Sequence, residues 1–471
     1  MAKMVWIMTA VVVIGTFSPA IGAPPKPEQV AALRERGPDG LAEALRIYDG
    51  IQLEQPQRMF SCAAQPEPSP DGASDLEAWS AAIDQIGAQR SCTVSRLYWY
   101  TDLTAAKAAA ERTGRPILSL RMLGKLTDEF SCANSRFFRT ALYSNKEISD
   151  YLRDNFVLHW QSVRPVPRVT IDFGDGRKLE RTVTGNSAHH VLASDGTPLD
   201  VLPGLYGPQA FLNWLHTTRN LDDSYRRVAQ ARPAPGSRHA QLLKQFHAAQ
   251  RDAILRAWDQ DLVRLDDKRL TLVSSRIRQA MEAANESGRL AQQAPAPKAN
   301  AAADRAVTKS VVERPLLRFA GFGGQWLEKG MDDDLWKSIA ALHRDETHLD
   351  ENSVALMRRE FPNAAAAGAV SETKRQVEDP MLRVIQVFEG SMSLDAVRNE
   401  YLLHRRIHEL LAESKTGTMD FDALNEWVYA TLFLMPSKDP WLGLASPDVY
   451  TALDGDGREE TAKQIARPAG R

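Results

Sequence analysis

The cysteine at position 132 has surroundings in which a thiol can do chemistry. Cys132 lies after the apolar run 116–122 (PILSLRM) and just before a predicted helix over 135–142. At the start of a helix, the first N–H groups point at the sulfur and the helix dipole favours the thiolate. A thiolate placed there could attack a disulfide or be held as a mixed disulfide.

Two nearby side chains would tune this thiol. The hydroxyl of Ser135 could donate a hydrogen bond to the thiolate, and the positive charge of Arg136 could lower the pKa of Cys132. Because Ser135 stands where a Cys-x-x-Cys site has its second thiol, Cys132 could act only as a monothiol. The alternatives are a partly buried, inert cysteine that starts a helix, and a cysteine in a structural disulfide.

The chain has two further cysteines, Cys62 and Cys92, which precede the block around Cys132. We favour a Cys62–Cys92 disulfide, which would leave Cys132 free. A loop of this size would stabilise the fold by about 3 kcal/mol in the chain-entropy model. Three free thiols, or a pairing of Cys132 with Cys62 or Cys92, are the alternatives.

A second candidate site is a pair of histidines at helical spacing. Glu400, His404 and His408 follow one another at intervals of four residues, so that His404 and His408 could share a helix face and a metal ion. Arg405 and Arg406 add positive charge there, and no other cluster of metal-ligand residues follows. Packing of both histidines against other helices is the favoured alternative, and we expect no metal and no cofactor.

The elements around Cys132 predict an α/β layer. Apolar runs predict strands over 116–122 and 156–161, and turns that contain glycine predict two hairpins after them. In the second hairpin, His189 and His190 should point to opposite faces, one packed inward and one exposed. Helices are predicted over 102–112, 135–142, 146–154 and 208–217. This order favours a mixed sheet with flanking helices.

The stretch 95–217, about a quarter of the chain, resembles bacterial thioredoxin-like proteins and the related part of selenoprotein N. The sequence 131–135 (SCANS) is similar in position to the Ser-Cys-Sec-Gly-Ser motif of that family, and 158–162 (LHWQS) is similar to its later apolar-Trp-Ser stretch. The resemblance implies a thioredoxin fold with its thiol at the active-site position. Ala133 then takes the selenocysteine position, and Ser187 takes the position of the cis-proline that faces the thiol.

Composition and the N-terminal residues restrict the class and location of the protein. The chain has 471 residues with 58 basic and 60 acidic side chains, a balance that argues against nucleic-acid binding. Lys3 precedes an apolar run that ends in small residues, which is typical of a secretory signal cut after Gly22. An uncleaved anchor is the alternative. We therefore expect a periplasmic or secreted protein with no further membrane span.

The chain is predicted to contain an α/β thioredoxin-like domain and a large, mostly α-helical C-terminal region. The expected boundaries are 1–22 for the signal peptide, 23–94 for a helical and loop arm, 95–221 for the thioredoxin-like domain, 222–290 for a helical region, 291–312 for a flexible linker and 313–471 for a C-terminal helical domain. Low complexity over 291–310 is the basis for the linker.

Two functions from different classes follow. The favoured one is a non-catalytic scaffold whose helical regions bind an unidentified protein partner, because Ser135 and Ser187 depart from the redox pattern and the helical half has no catalytic motif. The other is a thiol–disulfide oxidoreductase with the single active-site cysteine Cys132, favoured by the position of the thiol. The chain has no phosphate-binding loop, serine-hydrolase elbow or zinc-protease motif.

Overall fold

The computed structural model describes residues 23–60, 70–182, 186–230, 236–265, 333–360, 380–433 and 435–438. The predicted signal peptide, Cys62 and the predicted linker lie outside the described residues. The chain divides into two compact units, one up to Gly87 together with Ser91–Tyr98, and one that combines Ala88–Arg90 with the chain from Trp99 onwards. Within the described ranges, no helix has the length and apolar character needed to cross a membrane.

The first unit is helical. Its helices are α1 (Pro27–Glu35), α2 (Pro38–Phe60), α3 (Pro70–Gly87) and the short α4 (Cys92–Ser95). Trp79, Ile83 and Ile86 of α3 form the centre of its core, where their apolar side chains are removed from water. The guanidinium of Arg34 in α1 donates to the carbonyl of Ile86 at 2.7 Å, which ties α1 to the end of α3.

Cys92 begins α4, and its side chain is buried. Its Sγ donates to the Leu97 carbonyl over 3.4 Å, and its backbone N–H donates to the Asp84 carboxylate at 2.8 Å. Burial and the negative charge of Asp84 raise the pKa of the Cys92 thiol well above its usual range. Cys62 lies outside the described residues, so the Cys62–Cys92 disulfide stays a prediction.

The second unit contains a five-stranded mixed sheet and a separate two-stranded ribbon. The strands are β1 (Trp99–Tyr100), β2 (Ile117–Leu123), β3 (Val157–Arg164), β4 (Arg168–Asp172), β5 (Lys178–Thr182), β6 (Ser187–Leu192) and β7 (Pro198–Pro203). The sheet has the order β1–β3–β2–β6–β7, and β4 pairs with β5 in the ribbon. β1, β3 and β2 are parallel, whereas β6 is antiparallel to β2 and β7 is antiparallel to β6.

Helices flank this sheet, and the predicted mixed sheet with flanking helices is confirmed. They are α5 (Leu103–Thr113), α6 (Ala133–Phe137) with a following π-helical turn (Phe138–Leu142), α7 (Lys146–Asn155) and α8 (Pro208–Gln230). The carboxylate of Asp102 accepts from the N–H of Ala105 at 2.7 Å and caps α5. α8 runs well beyond its predicted end at 217 because its apolar face continues through Leu221 and Tyr225.

Both faces of the sheet are covered, which corrects one prediction. His189 and His190 point to opposite faces, but both are fully buried, so the expectation that one is exposed is wrong. The hydroxyl of Tyr143 and His189 Nε2 share a hydrogen bond of 2.7 Å on one face. On the other face, the ring of Phe421 from the C-terminal region lies 5.1 Å from the ring of His190. The helical region therefore covers the face that would otherwise meet solvent.

The rest of the second unit is helical. Its helices are α9 (Gly236–Arg264), α10 (Asp333–Leu342), α11 (Glu351–Glu360), α12 (Pro380–Arg398) with a following π-helical segment (Asn399–His404), α13 (Arg405–Glu413) and α14 (Phe421–Trp427) with a π-helical turn (Val428–Leu432). The ring of Trp258 in α9 joins this region, since it lies 5.6 Å from the ring of Trp336 and 5.1 Å from that of Tyr401. A mostly helical C-terminal region is confirmed for the described residues.

The helical region is attached along β7, the edge strand of the sheet. The side-chain amide of Asn399 donates to the carbonyl of Leu205 at 2.9 Å, just after β7. At the other end of the strand, the hydroxyl of Thr418 donates to the carbonyl of Pro198 at 2.7 Å. An uncovered edge strand can pair with other chains, so this cover protects β7. It also brings side chains of α13 against the sheet.

A histidine held between two carboxylates joins α9 to α10. His343 Nε2 lies 2.7 Å from Asp261 Oδ2, and its Nδ1 lies 2.8 Å from Glu346 Oε1. The hydroxyl of Tyr401 also donates to Asp261, and Arg264 lies 3.5 Å from the same carboxylate. Hydrogen bonds to Asp261 and Glu346 outweigh burial and raise the pKa of His343 from 6.5 to about 9.

The contacts of His343 with Asp261 and Glu346 predict a loss of stability at alkaline pH. Because the folded pKa of His343 is above the unfolded one, its contribution is complete below pH 6.5 and is lost as the pH rises through about 9. We expect the difference in unfolding free energy between the wild type and His343→Gln to shrink over that range, measured by urea unfolding. A difference that stays constant from about pH 6 to 9 would contradict the raised pKa.

Candidate functional site

Cys132 is the N-cap residue of α6, as predicted. The strand before it sets this position, because the N–H of Cys132 donates to the carbonyl of Leu123, the last residue of β2, at 3.2 Å. The thiol is free, and the residue has 0% of its surface exposed. The helix-start geometry that favours a thiolate is therefore present, but no solvent reaches the sulfur.

The two residues expected to tune the thiol bind to its backbone. The hydroxyl of Ser135 donates to the carbonyl of Cys132 at 2.8 Å, so its proton is not available to the sulfur. The backbone N–H of Arg136 donates to the same carbonyl at 3.2 Å, and its side chain is half-buried. Both residues hold the first turn of the helix in place.

A buried cation near Cys132 was missed by the sequence patterns. Arg139 lies in the π-helical turn after α6, and burial lowers its pKa to about 10, whereas a negative charge on Cys132 would raise it. Its guanidinium donates to the carbonyls of Leu126 and Asp128 at 3.1 and 3.0 Å. An arginine inside the apolar stretch 137–142 was the available signal.

Ser187 reaches the same end of β2 as Cys132. It is the first residue of β6, where it pairs with Met122, and its carbonyl accepts from the N–H of Gly204 at 2.8 Å. Its buried hydroxyl has no hydrogen-bond partner among the described residues. The structure thus brings together two of the residues that the resemblance assigned to one site.

The C-terminal region packs against this end of the sheet, near the thiol. Tyr429 is fully buried, and its hydroxyl donates to the carbonyl of Arg121 in β2 at 3.1 Å. Burial raises the pKa of Tyr429 well above its usual range, and a negative charge on Cys132 would raise it further. The guanidinium of Arg164 in β3 donates to the carbonyl of Met435 at 2.7 Å, which holds the chain after α14 against the sheet.

A second group of possible metal-ligand side chains lies where β7 meets α13 and the π-helical segment before it. Asp200, His404 and His408 are all buried, and one possible metal-ligand atom from each lies within 4.8 Å of the other two. His404 Nε2 lies 3.5 Å from Asp200 Oδ2, and His408 Nδ1 lies 3.8 Å from Asp200 Oδ1. The imidazole rings of His404 and His408 are 4.3 Å apart. We call these three residues the Asp–His cluster.

Neighbouring donors orient the carboxylate of this cluster. The indole N–H of Trp214 in α8 donates to Asp200 Oδ2 at 2.9 Å, and the backbone N–H of Val201 donates to Asp200 Oδ1 at 2.8 Å. Burial raises the pKa of Asp200, but its interactions with His408 and His404 outweigh burial and hold the pKa well below its usual range. Asp200 is therefore a carboxylate, with free lone pairs that face the histidines.

The histidines of the cluster differ in protonation. Burial opposes a charge on His404, but Glu400 and Asp200 raise its pKa to about 10. Burial lowers the pKa of His408 far below its ordinary value and lowers that of His247 to about 4. The Nδ1 atoms of His247 in α9 and His408 lie 2.9 Å apart, so one neutral ring donates to the other.

The sequence predicted two of the three residues of this cluster. His404 and His408 share a helix face, as their spacing indicates, and the favoured alternative of packing against other helices also describes them. Asp200 and His247 were missed. An aspartate inside the apolar strand 198–203 (PLDVLP) was a signal, because an acidic residue in such a strand needs a partner.

The comparisons with known proteins add no assignment to either group of residues. The sequence matches no protein-family model, and no curated protein is significantly similar to it. Function therefore has to be inferred from the thiol and the Asp–His cluster.

Proposed function

We propose that this chain is an exported thioredoxin-like protein whose α/β domain is a non-catalytic scaffold and whose helical region binds a protein partner. Three features support a thioredoxin-like domain: the strand order β1–β3–β2–β6–β7, Cys132 at the start of the helix after β2, and Ser187 at the start of the antiparallel strand beside β2. Parallel strands joined by helices, followed by an antiparallel hairpin, give this arrangement its two covered faces.

The burial of the Cys132 thiol is the main observation that supports a scaffold function. A thiolate attacks only a disulfide that it can reach in line, so a redox site needs an exposed sulfur. Cys132 is fully buried, and Tyr429 of the C-terminal region lies over that end of the sheet. The Ser135 hydroxyl is also bound to a backbone carbonyl rather than to the sulfur. The thiol end of the domain is thus occupied by the chain itself.

Exposed apolar side chains of the helical region support the proposal that this region binds a protein partner. Val384 and Val387 lie three residues apart on α12, and they are 39% and 63% exposed. Residues at this spacing are neighbours on a helix surface. Apolar side chains grouped on a surface are typical of sites that contact another protein.

Alkylation of the folded protein tests whether the thiol is closed. We expect Cys132 to react with a maleimide at neutral pH at least about 100-fold more slowly than in the urea-unfolded chain, because reaction must await opening of the C-terminal cover. Peptide mapping would identify the labelled cysteine, and Cys132→Ser is the control for assignment.

The opposite result would favour the monothiol function. Fast labelling of Cys132 in the folded protein, together with a disulfide-reducing activity that is lost in Cys132→Ser, would contradict the proposed scaffold function. Slow labelling without such activity supports it.

A further inference from the structure

We propose that Asp200, His404 and His408 bind a divalent transition-metal ion where α13 meets β7. The proposed ligand atoms are a carboxylate oxygen of Asp200, Nε2 of His404 and Nδ1 of His408. Imidazole and carboxylate, without thiolate or thioether, are ligands suited to Zn²⁺, Cu²⁺ or Ni²⁺ rather than to Ca²⁺ or Mg²⁺. Zn²⁺ is the probe that we select.

Two of the three distances between the ligand atoms are close to those of a tetrahedral site. Metal–ligand bonds of about 2.0–2.1 Å place neighbouring ligand atoms about 3.3 Å apart. The Asp200 oxygens lie 3.5 Å from His404 Nε2 and 3.8 Å from His408 Nδ1. All three ligand atoms lie within 4.8 Å of one another. Contractions of between a few tenths of an ångström and about 1.5 Å would therefore complete the three-ligand set, a change within the reach of side-chain rotation.

Unsatisfied nitrogen atoms point to a missing ligand. The Nε2 atom of His404 is buried, and its nearest partner, Asp200 Oδ2, is 3.5 Å away, which is long for a hydrogen bond. Nε2 of His408 and of His247 are buried without a hydrogen bond to the described residues. A buried nitrogen without a partner costs free energy, and most such atoms in proteins are paired. A metal ion bound to His404 Nε2 would remove one of these deficits and neutralise the Asp200 carboxylate.

The surroundings of His404 have the arrangement that accompanies metal-binding histidines. A ligating imidazole commonly donates its other ring N–H to a carboxylate, which fixes the tautomer and orients the ring. His404 Nδ1 lies 2.9 Å from Glu400 Oε2, and the hydroxyl of Tyr206 donates to the same oxygen at 3.1 Å. A metal ion that binds Nε2 would displace the proton of that atom to solvent, and the proton on Nδ1 would stay hydrogen-bonded to Glu400.

His247 occupies the fourth side of the site. Its Nδ1 atom lies 2.9 Å from Nδ1 of His408, and the residue is fully buried. When a metal binds His408 Nδ1, this hydrogen bond must break, and the lone pair of His247 Nδ1 then lies close to the ion. His247 is therefore the residue placed to complete a site of three histidines and one carboxylate.

Calorimetric titration of the chelator-treated mature protein with Zn²⁺ tests the site. We expect one ion per chain for the wild type, and loss of that binding in His404→Ala and His408→Ala. His348→Ala is the matched control, because His348 is an exposed histidine that contacts Asp345 and Glu389 outside the cluster, and it should bind as the wild type does. Circular dichroism establishes that each variant is folded.

Milder variants keep the test decisive if an alanine variant does not fold. Glu400→Gln removes the carboxylate behind His404 and should weaken Zn²⁺ binding by about 10- to 100-fold. His247→Ala should also weaken it. Absence of one-to-one binding by the wild type would overturn the proposal and leave the cluster as a buried ion pair. Binding that is equal in the wild type and in the folded cluster variants would overturn it as well.

Discussion

Replacing Asp200 with asparagine is expected to lower the unfolding free energy of the metal-free protein by about 3–5 kcal/mol. The substitution keeps the size of the side chain but removes the negative charge that faces His404 and His408. His404 carries a positive charge at neutral pH, because its pKa is raised to about 10. Without Asp200, this buried charge loses one of its two carboxylates, which is much costlier than losing an exposed ion pair.

Urea unfolding in the presence of a chelator measures this effect. Asp150→Asn is the matched control, because Asp150 pairs with Lys146 and Arg153 at the surface of α7. An exposed pair contributes between about 0 and 1 kcal/mol, so the control should change stability by no more than that. Equal effects of the two substitutions would show that the buried pair does not hold β7 to α13.

Replacing Tyr429 with alanine is expected to cost about 3–5 kcal/mol and to expose the thiol of Cys132. Tyr429 is among the largest fully buried side chains, so its removal leaves a cavity against β2 and β6. Alkylation of Cys132 in the folded variant should then be faster than in the wild type, because the cover over that end of the sheet is gone.

Tyr429→Phe separates the ring from the hydroxyl. It keeps the cover and removes only the hydrogen bonds of the hydroxyl to the carbonyls of Arg121 and Asn186, at 3.1 and 3.5 Å, which together contribute about 1 kcal/mol. Denaturant unfolding and the labelling rate of Cys132 should both lie near the wild-type values. Rapid labelling in Tyr429→Phe, or unchanged labelling in Tyr429→Ala, would contradict the role of the tyrosine ring as a cover.

Local sequence patterns were sufficient to predict most strands and helices around the mixed sheet. The strands at 116–122 and 156–161, the helix at 102–112 and the two hairpins were predicted within a few residues. These features depend on contacts between residues two to four positions apart and on glycine in turns, which the chain order displays directly. The two-residue strand β1 was missed because so short a strand has no periodicity.

The surroundings of the thiol could not be predicted, because they are formed by segments that are distant in the sequence. The helix start at Cys132 was predictable from the apolar run before it, but Tyr429 contacts the strand at a separation of 308 positions. The exposure expected for one of His189 and His190 was wrong for the same reason, because Phe421 covers that face. The local sequence of an apolar surface does not show which distant segment packs against it.

The spacing of His404 and His408 by itself determined that both side chains lie on one helix face. Asp200 and His247 joined them only through the packing of α13 against β7 and α9. Helical spacing is a property of neighbouring residues, whereas His247 and His408 meet across 161 positions of the chain through the folding of separate segments. That folding converts a common helical pattern into a buried set of metal-binding side chains.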